Sequence, residues 1–147
     1  MRSLWKSLLA LSMLTAPLLA GALRLEVGNP ATNQEALARH AVLLAWTTAC
    51  HSPEKTTITA TAEGIVNGMR RSISLKVFSL SAPGTFAVAR EWPNEGNWAI
   101  KVVATNPDYT DYATSAVVPV QNNSARVEAA KHYYHAPSET EVSMSLN

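Results

Sequence analysis

One cysteine in 147 residues, Cys50, leaves the chain with no internal disulfide, so its fold is held by an apolar interior alone. Six glycines, scattered singly, supply neither a phosphate-cradling loop nor a dinucleotide fingerprint. No paired-carboxylate motif and no strand-to-helix nucleophile elbow is present, which argues against an enzyme and against a bound cofactor. Charge of either sign is scarce: 12 basic residues stand against 11 acidic ones. Nucleic acid and anionic lipid both call for a clustered basic excess, so neither is an expected partner.

Long apolar runs are missing as well. The longest, Leu8 to Ala20, is interrupted by Ser12, Thr15 and Pro17 and falls short of the roughly 20 residues that cross a bilayer. With Arg2 and Lys6 before it and Ala20-Gly21-Ala22 after it, it has the parts of a secretory signal peptide, residues 1–22, with cleavage after Ala22. The expected product is exported, periplasmic or secreted, without a membrane span. Losing Arg2 and Lys6 leaves 10 basic against 11 acidic residues, a net charge of 10 − 11 = −1.

What the chain does contain is alternation, organised around Ile58 to Phe78. Asn67-Gly68 sits at its centre, and this pair suits a two-residue hairpin turn because both central positions take positive φ. With Val66 and Met69 flanking the turn, Ala62 faces Ile73, Ala60 faces Leu75 and Ile58 faces Val77. Glu63, Thr61 and Thr59 then face Ser72, Ser74 and Lys76. A slip of one residue would set every apolar side chain against a polar one, so one register is specified.

Elsewhere, Leu23 to Val27 reads as a first strand, closed by Gly28-Asn29-Pro30. Thr32-Asn33-Gln34-Glu35 matches a capping box, and Ala36 to Trp46 fits a helix or a buried strand. We expect a helical start near Thr32 and a strand from about Ala38 to Ala49. Thr85 to Arg90 and Trp98 to Ala104 alternate, but a four-residue turn over Pro93 to Gly96 would set Val88 against Lys101. A corner between two sheets avoids that mismatch. Tyr112 to Val120 gives a further strand, placed at an edge by Pro119. Past it, Val127, Ala130 and Tyr134 have helical spacing, whereas Val142, Met144 and Leu146 alternate as a final edge strand does.

The run Phe86 to Val102 contains Trp92-Pro93, Gly96 and Trp98. It resembles the Trp-Pro-x-x-Gly-x-Trp corner of immunoglobulin-like sandwiches in bacterial exported proteins, those of the YtkA-like family included. The resemblance implies an antiparallel immunoglobulin-like β-sandwich in which this corner joins strands E and F of opposite sheets. Residues 23–120 are then the sandwich, and 121–147 a C-terminal extension with a short helix and an edge strand. The disulfide pair of antibody domains is absent.

Candidate ligands are few. Cys50 and His51 present a thiolate and an imidazole, which suit copper or zinc. His132 and His135, three apart on the expected helix with Glu128 one turn before, can face one ion; a solvated polar face beside Tyr133 and Tyr134 is the plainer alternative. Trp92 and Trp98 with Tyr109 and Tyr112 form either an aromatic ligand surface or, for the tryptophans, core. Arg70 and Arg71 keep a hairpin tip soluble, and Asn122-Asn123-Ser124 is a glycosylation sequon. The expected function is a non-enzymatic binding or structural module of the cell envelope, engaging a protein or envelope partner through a sheet edge. The alternative is a periplasmic metal-handling accessory protein using Cys50 and the histidines.

Overall fold

The computed structural model describes residues 22–48, 52–109 and 113–146. The stretch read as a leader lies outside them except for Ala22, as do Cys50, His51 and Tyr112. Two antiparallel sheets pack face to face. The first holds β1 (Arg24–Gly28), β2 (Ala41–Thr48), β5 (Val77–Ser79) and β6 (Thr85–Ala89), in the order β1-β2-β6-β5. The second holds β3 (Thr57–Val66), β4 (Met69–Ser74), β7 (Asn97–Thr105), β8 (Thr114–Gln121), β9 (Ser124–Ala125) and β10 (Lys131–Tyr133). Its order is β10-β8-β7-β3-β4, with β9 on β8. The connections β2–β3, β4–β5 and β6–β7 each pass from one sheet to the other, which makes the chain an all-β sandwich. Among the described residues no helix is long and apolar enough to cross a membrane.

Alternation explains the core. Leu25, Leu43, Ala45 and Val88 point inward from one sheet and meet Ala60, Ala62, Ile100, Val102, Ala116 and Val118 from the other. Each fully buried Val, Leu or Ile contributes about 1.5–3 kcal/mol, and in these layers nothing covalent supplements them. The corner from β6 to β7 does pass between sheets, and both its tryptophans are core: Trp92 and Trp98 are 3% and 2% exposed. Arg90 lies over the Trp92 ring and donates to its carbonyl (3.1 Å), which holds the bend.

The central hairpin has the expected register from Val66↔Met69 to Thr61↔Ser74. Leu75 still donates its N–H to Ala60 O (2.9 Å), and there the ladder ends. The expected pairings of Lys76 with Thr59 and of Val77 with Ile58 do not form. Val77–Ser79 crosses to the other sheet, where Val77 pairs Val88. Alternation cannot detect such a crossing, because a side chain on either inner face points at the same core. In the turn, Asn67 and Gly68 have φ of 50° and 75°, and a Cβ on Gly68 would touch nothing within 4 Å. Gly68→Ala should therefore lose about 1 kcal/mol from backbone conformation alone, read as a shifted urea midpoint at unchanged slope.

Three other segments depart from the sequence pattern. Both elements of the ambiguous stretch exist, α1 (Gln34–Ala38) and then β2, but the helix is capped by Asn33, whose Oδ1 accepts the Ala36 N–H (2.9 Å). Glu35 is drawn away from Thr32 to accept the Ser81 N–H (2.9 Å). β8 is internal rather than an edge; Pro119 is tolerated because β10 pairs only as far as Val117.

At the C-terminus the two expected elements exchange character. Residues 124–134 form β9, a 3-10 turn at Val127–Ala129 and edge strand β10, and the expected final strand is helix α2 (Glu139–Ser143). Ser138 and Glu141 cap α2 reciprocally, the Ser138 N–H reaching Glu141 Oε2 at 2.7 Å. Val142 and Leu146, four apart, satisfy a helical face as well as alternation. Met144 decides between the two, and it is 52% exposed. α2 and the turn that follows it lay Val142 and Leu146 on Ala99 and Val117 of the outer face, so the segment beyond 120 is built into the second sheet.

Candidate functional site

The second sheet ends at β4, whose residues are exposed except for the half-buried Ile73. Antiparallel pairs alternate between exchanging both hydrogen bonds and exchanging none. Since Leu75 bonds Ala60, the amides of Met69, Arg71 and Ile73 face β3, and those of Arg70, Ser72 and Ser74 face outward. Among the described residues no strand pairs with that outer side. Side chains alternate about it: Arg70 leans to the outer face, and Arg71 to the opposite one. Arg70 donates to the Glu139 carbonyl (3.2 Å) and lies 3.7 Å from its carboxylate. Exposed Met69 and Ile65 (55% and 43%) flank the edge.

Beneath this edge lies a polar cluster. Glu63 Oε1 accepts from Thr61 Oγ1 (2.9 Å) and Ser72 Oγ (2.9 Å), and Lys101 Nζ stands 3.1 Å away. Burial pushes the Glu63 carboxyl up, but hydrogen bonds from Ser72, Thr61 and Lys101, with the lysine's charge, outweigh it and leave the group below its usual range. α2 roofs the cluster, leaving a cavity of about 230 Å³ between Glu63, Lys101, Arg70 and Val142. Each charge there has a partner, so the arrangement stiffens β3 and β4 rather than offering a free acid or base. Sequence patterning places Glu63 opposite Ser72, whereas Lys101 comes from β7, the one strand that pairs with β3 on the side away from the hairpin.

The histidines do not assemble as the helical spacing suggested. On strand β10 His132 turns to the first sheet, its Nδ1 3.1 Å from Leu25 O. His135 lies past the strand, with Nδ1 2.9 Å from Ala136 O and Nε2 3.5 Å from Glu141. Glu128 instead contacts Arg126. The shared helical face of Glu128, His132 and His135 is thus replaced by three separate engagements. Among the described residues no group of three or more His, Cys, Asp or Glu is placed to hold a metal ion; Cys50 and His51 fall outside them. Of the aromatic set, Trp92 and Trp98 are core residues and Tyr109 packs against the same core past the far end of β7, which lies about 23 Å from Trp98 at strand rise; Tyr112 falls outside the described residues.

Comparison with family models, with curated proteins and with solved structures returned no match.

Proposed function

We propose that the chain is an exported, non-enzymatic module of the cell envelope, an immunoglobulin-like domain related to those of bacterial exported proteins, that binds a partner protein by strand addition along β4. The observation that carries this is the outward row of Arg70, Ser72 and Ser74 backbone groups. Such a row is a template for an extended segment, which gains affinity from main-chain bonds and specificity from side chains at alternate positions. Arg71 on one face, and on the other Arg70 once it exchanges its exposed contact with Glu139, disfavour pairing with a second copy in like-charge registers and favour a segment carrying adjacent carboxylates, one for each face. The signal-like N-terminus supports export, and the Phe86–Val102 corner supports the immunoglobulin-like relationship.

The test uses a fluorescent hexapeptide, Thr-Val-Glu-Glu-Val-Thr, with its Lys-Lys counterpart as control. The acidic peptide should bind, protect the Arg70, Ser72 and Ser74 amides from exchange, and weaken as salt rises. Ser74→Pro removes one outward donor while sparing the β3 ladder, and should abolish binding with the urea midpoint nearly unchanged. Equal binding of both peptides, or undiminished binding by Ser74→Pro, would overturn the proposal.

A further inference from the structure

The end of the second sheet that carries the Asn67-Gly68 turn is rich in carboxamides. Five of the chain's nine asparagines, at 67, 94, 97, 122 and 123, are brought there by three connections: the β3–β4 turn, the β6–β7 corner and the β8–β9 turn. Backbone conformation accounts for three of them, since Asn67, Asn122 and Asn123 have φ of 50°, 50° and 62° and asparagine tolerates that region well. It does not account for Asn94, Asn97 or the neighbouring Gln121. These side chains surround a depression of about 450 Å³ whose lining also includes the half-buried Val120 and the almost wholly buried Trp98, and no charged residue.

The depression is held in shape. Gly96 approaches β3 so closely that a Cβ there would lie 2.7 Å from Ile65 O, which seats the corner on the sheet. Asn94 Oδ1 accepts from Asn123 Nδ2 (3.3 Å) and from Arg90, and Gln121 Oε1 accepts from Arg126; among the described residues the side-chain N–H groups of Asn94 and Gln121 meet no acceptor. A carboxamide offers donors and an acceptor in one plane, matching the paired donor and acceptor capacity of neighbouring hydroxyls. No lining residue carries a formal charge, the guanidinium groups of Arg90 and Arg126 being engaged by Asn94 and Gln121, and the half-buried Val120 offers a small apolar contact to the C–H face of a sugar ring. A few fixed polar groups around an apolar patch is the usual construction of a small-ligand site.

We infer that this depression is a binding site for a neutral oligosaccharide, separate from the β4 edge and not dependent on it. The probes are maltotriose and tri-N-acetylchitotriose, titrated into the isotopically labelled protein, with glycerol as a polyol that lacks a ring face. At least one trisaccharide should give saturable shifts in the side-chain amides of Asn94, Asn97 and Gln121 at about millimolar affinity, while β4 resonances stay in place. Asn97→Ala and Asn122→Gly, the latter preserving the positive-φ turn, should each weaken binding about three- to tenfold. Both variants should keep the parent melting profile within a few degrees. The inference is overturned if neither trisaccharide gives a saturable shift, if glycerol moves the same resonances equally, or if both folded variants bind as the parent does.

Discussion

Replacing Gly64 with alanine should destabilise the domain by about 3 kcal/mol, near the upper end of what overpacking one methyl group does. Gly64 pairs with Trp98 across β3 and β7, and a Cβ built on it would lie 2.3, 2.6 and 2.7 Å from three atoms of the indole. The ring cannot tilt away easily, because its Nε1 donates to Glu95 O at 2.8 Å and its faces are in the core. Gly64→Ala must therefore displace either the tryptophan or the β3 backbone. A urea titration reads this as a midpoint lowered by roughly 1–3 M for a domain of this size. Trp98→Phe in the same chain makes room, so the double variant should be more stable than the sum of its single changes by at least about 1 kcal/mol. Additive losses would show that the indole does not lie over Gly64.

The contrast between Gly64 and Gly68 shows what was legible in the sequence. Gly68 follows an asparagine between two alternating runs, so its role is written in its immediate neighbours. Gly64 has the same identity only four residues earlier, yet its role depends on a residue 34 positions away. Local signals gave the hairpin, the first strand and the corner, since each rests on turn chemistry or parity within about 20 residues. Signals satisfied by two periods misled. Val142 and Leu146 fit a strand and a helix equally, and the Ser138 to Glu141 capping pattern, which separates the two, lies just upstream of the alternating run. The partner of Val77 was missed for a related reason, because a strand that changes sheet keeps its inward residues inward. Of the site, Arg70 and Arg71 were visible as a charged hairpin tip. The outward row of amides and the gathering of Asn94, Asn97 and Asn122 appear only once the sheets are assembled.

Glu63→Ala should lower stability by about 2–3 kcal/mol, the range for hydrogen bonds to a charged group, because Thr61, Ser72 and Lys101 all lose their common acceptor. Glu63→Gln separates the charge from the hydrogen bonds. In the parent the folded carboxyl titrates below its ordinary value, while in the unfolded chain it titrates near about pH 4.3. As pH falls through that window the unfolded state takes up a proton first, so stability falls with it. The contribution is complete above the unfolded value and is lost once pH has passed below the folded one. Glu35, Glu128 and Glu141 are also held below the usual range by hydrogen bonds, so the parent's acid sensitivity has several sources. The informative quantity is the difference between the parent and Glu63→Gln, measured by urea unfolding from pH 7 to pH 3. The two stabilities should converge as the pH drops, the glutamine variant losing less. Parallel curves would mean that Glu63 does not form an ionised pair with Lys101 on the outer face, and the rigidity that the cluster lends to β4 would then need another source.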